Sequence, residues 1–171
     1  GAMANTFLAY KGYSVGKSTA EFDQQETLNA IYRAATAKVG KAVDKFIVLP
    51  KDVAVAKEID AKAKRHIVSV RKIAPDDRAL DIGDETIDQF IRIIEHAGTV
   101  IWNGPVGYAT FNNFAHGSAR VALSLATHPE TESIIGGGDT ADFVLKWDAR
   151  GGDSFTHVST GGGASLELMA G

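Results

Sequence analysis

Three glycine-rich clusters, each directly behind a short apolar run, limit the folds open to this chain more than any other feature. They are Asn103-Gly104-Pro105-Val106-Gly107, Gly136-Gly137-Gly138 and Gly161-Gly162-Gly163. The runs ahead of them, residues 99–102, 133–135 and 156–159, are short, rich in β-branched residues and bounded by glycine. They read as buried strands. Helix-like stretches follow at residues 112–126, 140–147 and 164–169. Strand, glycine turn and helix in repeated succession is the pattern of a parallel α/β sheet.

The earlier half is read in the same terms. Ser18-Thr-Ala-Glu21 has the spacing of a capping box, in which serine and glutamate satisfy helix-end amides reciprocally. Leu28, Ile31, Ala35 and Val39 then recur at near-helical spacing, with Gly40 as the stop. Residues 45–49, 53–56 and 67–70 are strand candidates, and Asp84 precedes a helix bearing Ile87, Phe90, Ile91 and Ile94, closed by Gly98. With 171 residues and no linker, repeat or low-complexity tract, the chain reads as one α/β domain.

Composition removes several function classes. A net charge of −3 gives no support for nonspecific binding to nucleic acid or anionic membranes. The basic stretch Lys62-Ala-Lys64-Arg65-His66 reads as a solvated face. Cysteine is absent, which excludes disulfides, thiolate metal sites and a cysteine nucleophile, and fits a reducing cytoplasm. No apolar run is long enough to span a bilayer, and the amino terminus lacks a signal-peptide pattern.

In open parallel sheets, ligands bind beyond the carboxyl ends of the strands, where loops enter helices. Glycine there lets the backbone approach a ligand, and the following helix start offers unpaired N–H groups that suit phosphate. Asp139-Thr140 falls on the first turn of the helix behind the middle cluster. Two roles are open to it and can coexist. The aspartate can cap the helix, or it can hold Mg²⁺ against nucleotide phosphates while the threonine hydroxyl bonds a phosphate oxygen.

Gly12-Tyr-Ser-Val-Gly16-Lys17-Ser18 imitates a phosphate-binding P-loop but is one residue short, with Lys11 in place of the first glycine and no strand pattern before it. The five histidines, at 66, 96, 116, 128 and 157, show no ligand spacing, and His157 reads as a satisfied core residue. No Gly-x-Gly-x-x-Gly opens a helix with an acidic partner about 20 residues on, which argues against a dinucleotide oxidoreductase.

The clusters, with their surroundings, resemble the phosphoglycerate kinase family. The resemblance rests on Gly1-Ala-Met-Ala-Asn-Thr-Phe-Leu8, Leu49-Pro50 with Val53-Ala-Val-Ala56, Leu80-Asp-Ile-Gly83, Trp102-Asn-Gly-Pro-Val-Gly107, Ile134-Ile-Gly-Gly-Gly-Asp-Thr140 and His157-Val-Ser-Thr-Gly-Gly-Gly-Ala-Ser-Leu-Glu-Leu168, in the family's order. It implies a three-layer Rossmann-like α/β domain with a mainly parallel sheet. It also implies that residues 1–171 are the nucleotide-binding, carboxy-terminal domain without its first βα unit, and that the amino-terminal lobe, which binds phosphoglycerate, lies outside the chain.

Further expectations follow from the resemblance. The activity is phosphoryl transfer between 1,3-bisphosphoglycerate and ADP, giving 3-phosphoglycerate and ATP, in a cytoplasmic, monomeric parent. The isolated chain is expected to be inactive. Asp139 would hold Mg²⁺, Thr140 would touch nucleotide phosphate, and Gly138 and Gly163 would present N–H groups to the transferring phosphoryl. Leu80, Asn103, Pro105, Gly107, Tyr108, Thr110 and Gly137 would complete the ADP/ATP site. Thr110 stands where the family usually has a ribose-binding glutamate, and Ala79 where a glycine is common. Thr110 is the feature that favours a noncatalytic binding module instead.

Overall fold

The computed structural model describes residues 1–161, and the expected helix at residues 164–169 lies outside them. The chain is mixed α/β and divides into two compact units, Gly1–Thr86 and one from Ile87 onward.

The first unit opens with helices α1 (Ala2–Tyr10), α2 (Gln25–Val39) and α3 (Val43–Phe46). Gly40 ends α2 at φ 58°, a conformation that glycine adopts without penalty. Strands β1 (Asp52–Ala56), β2 (His66–Ser69) and β3 (Arg78–Ile82) follow. They form a sheet in the order β2-β1-β3, and β1 is antiparallel to both neighbours. β1 is buried along its whole length, as a central strand must be. Val53 and Val55 pack with Leu8, Val15, Val70 and Ile73 in the unit's core.

Helix α4 (Asp84–Ile94) starts directly behind β3. Its first turn is held by Asp52, whose carboxylate accepts from the N–H groups of Glu85 (3.1 Å) and Thr86 (2.8 Å) and from the Thr86 hydroxyl (2.6 Å). Asp52 thus caps a helix it does not belong to, joining strand to helix by charge-assisted bonds. A side chain at Gly83 would meet that carboxylate at 2.2 Å, so the contact requires glycine.

The second unit carries a parallel sheet of β4 (Thr99–Asn103), β5 (Glu132–Gly136) and β6 (His157–Val158), in that order, with α5 (His116–Thr127) and α6 (Gly138–Trp147) in the connections. Trp102 and Ile135 are paired across β4 and β5, which puts them on one face. They pack there with Ile94, Val121, Ala122, Leu125, Val144 and Phe155. The expected parallel α/β grammar is therefore present in this unit.

Several expectations need correction. Ser18 and Glu21 do not cap a helix: α2 begins at Gln25, and the Ser18 hydroxyl accepts from the N–H of Ala79 at 2.8 Å, an option no local pattern reveals. Residues 45–49 are not a strand, because Lys45 and Phe46 end α3 and the rest is irregular. The stretch 112–126 is broken at Ala115, where a 3₁₀ turn over Asn112–Phe114 gives way to α5. Ile31 is 39% exposed, so the buried stripe of α2 is narrower than its spacing suggests. The P-loop imitation follows a helix, and its Gly16 packs against the carbonyls of Ala74 and Asp77, so it is a structural loop.

β6 is short and is held largely by side chains. Ser133 and Thr156 exchange bonds, each hydroxyl accepting the other residue's N–H at 3.0 Å. Upstream, Asp148 gathers its own loop, accepting from the N–H groups of Arg150 (3.0 Å), Gly152 (3.0 Å) and Ser154 (3.1 Å) and from the Ser154 hydroxyl (3.0 Å). Burial works against the charge on Asp148, but these donors outweigh it and hold its carboxyl below the ordinary value of 3.8. A depressed carboxyl adds stability that is fully present above its unfolded pKa and lost as the pH falls through the folded one. Asp148→Asn is therefore expected to lower the thermal midpoint at pH 7, with the gap to the unmodified protein closing as the pH drops below 3.8. A gap that is the same at pH 7 and pH 3 would show that the charge is not what holds the loop.

Candidate functional site

At the carboxyl end of the second unit's sheet, two loops are fastened together. β4 ends at Asn103, paired in register with Gly136 at the end of β5. Gly104 then turns at φ 102°, and Gly137 precedes α6 at φ 86°; both conformations favour glycine. The Thr140 hydroxyl, fully buried, accepts the N–H of Gly104 at 2.8 Å. The carbonyl of Gly104 accepts from the Trp102 indole Nε1 at 2.8 Å, so this glycine is held through both its N–H and its C=O. Farther along the same loop, the N–H of Val106 donates to the buried Ser118 hydroxyl of α5 at 3.2 Å. A side chain at Gly137 would come within 3.2 Å of the Asn103 Oδ1 atom.

These constraints frame a cavity of about 650 Å³. The loop after β4 contributes Pro105, Gly107, Tyr108, Ala109, Thr110 and Asn112. Helix α6 contributes Asp139, Asp142, Phe143, Lys146 and Trp147, spaced so that they share one helix face. Five of the residues expected from sequence, Pro105, Gly107, Tyr108, Thr110 and Asp139, thus line one space. Asn103, Gly137, Gly138 and Thr140 stand at the strand ends and helix start beside it. Leu80 belongs to the first unit, buried on β3. Gly163 lies outside the described residues.

The capping role considered for Asp139 is not observed. The N-cap of α6 is Gly137, and no side chain among the described residues caps the helix end. Asp139 is exposed on the first turn, its carboxylate without a hydrogen-bond or ion-pair partner among the described residues. Helix geometry leaves the first N–H groups of α6 without partners inside the helix, at its positive end. His157 is exposed, which corrects its reading as a core residue. Asn112, Asp142, Phe143, Lys146 and Trp147 were missed as cavity residues. Counting three, four, seven and eight positions on from Asp139 would have found the four on α6.

A parallel α/β unit with glycine turns and a cavity at the strand ends makes this a protein of the α/β class, in which ligands bind beyond the carboxyl ends of the strands. The chain matches the family model described as phosphoglycerate kinase over residues 1–171. It is 43% identical over its full length to the phosphoglycerate kinase of Listeria welshimeri, and 41% identical to that of Enterococcus faecalis. It spans 41% of the length of each of these relatives. Among solved structures, the phosphoglycerate kinase of Coxiella burnetii matches with a TM-score of 0.89 at 33% identity, over 100% of this chain and 42% of the other. That of Pyrococcus horikoshii matches with a TM-score of 0.68 at 27% identity, over 98% of this chain and 40% of the other. The chain belongs to the phosphoglycerate kinase family.

The fastening of the two loops can be tested directly. Thr140→Val removes the acceptor for the Gly104 N–H while nearly keeping the volume, and is expected to cost about 1–3 kcal/mol of stability. Thr140→Ser, which keeps the hydroxyl, should retain the hydrogen bond. Denaturant midpoints of the two variants check this, and a valine variant as stable as the unmodified protein would show that the bond contributes little.

Proposed function

We propose that this chain supplies the Mg-nucleotide site of a phosphoglycerate kinase, whose parent transfers a phosphoryl group between 1,3-bisphosphoglycerate and ADP. The observation that carries the proposal is the start of α6, which no side chain among the described residues caps, with exposed Gly138 and Asp139 beside a cavity of about 650 Å³. Phosphoryl transfer asks a protein for positioning and charge stabilisation more than for covalent chemistry. The N–H groups at this helix start, Gly138 among them, would face nucleotide phosphate oxygens. Thr140 serves the site from beneath, its hydroxyl fixing Gly104 and so the wall that runs on to Pro105 and Gly107. Gly163 is proposed as a second N–H donor toward the transferring phosphoryl.

The donor set suits magnesium. Mg²⁺ is commonly bound through one or two carboxylates plus substrate phosphates, keeping several waters. Asp139 is such a carboxylate, and no cluster of three or more His, Cys, Asp or Glu residues that could hold a metal without substrate occurs among the described residues. Bound there, the ion would neutralise phosphate charge as the phosphoryl group moves. On this proposal the parent is a cytoplasmic, monomeric enzyme of glycolysis that takes phosphoglycerate through its other lobe. The isolated chain would then have no turnover.

In the parent enzyme, Asp139→Ala is expected to lower turnover by more than about a hundredfold, since it removes charge stabilisation worth several kcal/mol. Circular dichroism should be unchanged, because Asp139 is exposed. Steady-state rates over a range of Mg²⁺ provide the measurement. Turnover within about twofold of the unmodified enzyme, under 0.5 kcal/mol of barrier, would remove the metal role.

A further inference from the structure

The cavity beside α6 has two carboxylates in its wall, and the proposed function uses one of them. Asp142 is the other: it is exposed, lines the cavity, and has no hydrogen-bond or ion-pair partner among the described residues. Lys146, four residues on along the same helix, also lines the cavity, yet no ion pair joins the two. Facing them, the loop after β4 offers the Thr110 hydroxyl and the Asn112 amide, each with a single oxygen to accept a hydrogen bond.

We propose that Asp142 is a specificity-determining residue that accepts hydrogen bonds from the vicinal sugar hydroxyls of a ribonucleotide, and so selects ribose over deoxyribose. The proposal rests on the nucleotide function given above. Phosphates at the start of α6 fix one end of the ligand, so its sugar must lie farther along the cavity. Asp142 sits three residues beyond Asp139, about 4.5 Å along the axis. Two adjacent hydroxyls present two donors, and a carboxylate presents two acceptor oxygens on one rigid group. Bonds to an ionised acceptor are shorter and stronger than those to a hydroxyl or amide oxygen. Asp139 is already assigned to the metal, which leaves Asp142 as the strongest acceptor in the wall for a diol.

The test is calorimetric titration of the parent protein with Mg-ADP and Mg-2′-deoxyADP, comparing the unmodified protein with Asp142→Ala and Asp142→Asn. The unmodified protein is expected to prefer ADP. Asp142→Ala should weaken ADP by about tenfold, in keeping with loss of a hydrogen bond to a charged group. Its affinity for 2′-deoxyADP should change much less, so that the preference collapses. Asp142→Asn, which keeps one acceptor oxygen, should fall between the two. If both variants keep the full preference for ADP, the role of Asp142 is overturned while the nucleotide site stands. If all forms lose both nucleotides equally on substitution, Asp142 acts through general charge and its selective role is again overturned. If the unmodified protein binds neither nucleotide, the functional proposal falls and this one falls with it.

Discussion

The hydroxyl of Thr140 accepts the N–H of Gly104 at the end of the parallel sheet, and this bond fastens the start of α6 to the loop that leads into the cavity wall. Thr140 is fully buried in the first turn of α6, and Gly104 is the first residue beyond β4. One bond therefore couples a helix start to a loop 36 residues earlier in the chain. The Trp102 indole holds the carbonyl of the same glycine. Such a clasp forms only if β4 and β5 pair in the observed parallel register, which brings Asn103 level with Gly136. A slip of one residue would put Trp102 and Ile135 on opposite faces and take one of them out of the core, so hydrophobic burial enforces the register and the register sets the clasp.

Much of the second unit could be read from the sequence for the same reason. Its strands are short β-branched runs, and its glycines sit where positive φ is required, as at Gly104 and Gly137. These are local signals, and both follow from sterics. Ser118 was not legible, because its value lies in a hydroxyl that meets Val106 across a loop. Asp142, Lys146 and Trp147 carry no motif of their own, and only the helical periodicity that extends the face of Asp139 marks them as cavity residues.

The first unit was harder to read. Residues 53–56 and 67–70 read as strands and lie on β1 and β2, but β3 (Arg78–Ile82) carries no such reading, and the antiparallel pairing of β1 with both neighbours has no local marker as strong as a glycine turn behind a strand. Ser18 shows the difficulty. Its spacing to Glu21 fits a helix start, yet its oxygen is used by the N–H of Ala79, 61 residues away. Asp52 is the converse case: its sequence context shows only an acidic residue beside a strand, while the fold uses it to cap α4. In both cases the partner is distant, and local pattern gives no account of it.

β6 shows what the fold must add when a strand is very short. Its two residues make too few ladder bonds to define a register alone, since each contributes only about 1 kcal/mol net. The reciprocal bonds of Ser133 and Thr156 lie one residue before the ladder and fix its phase. The N–H of Ser159, donating to the Ile135 carbonyl at 2.8 Å, fixes it from the other end. Asp148 stabilises the loop that brings the chain to this point. The strand is thus held at its entry, phase and exit by groups that bind backbone rather than by the length of its ladder. The chain continues from there to Gly161, the last described residue.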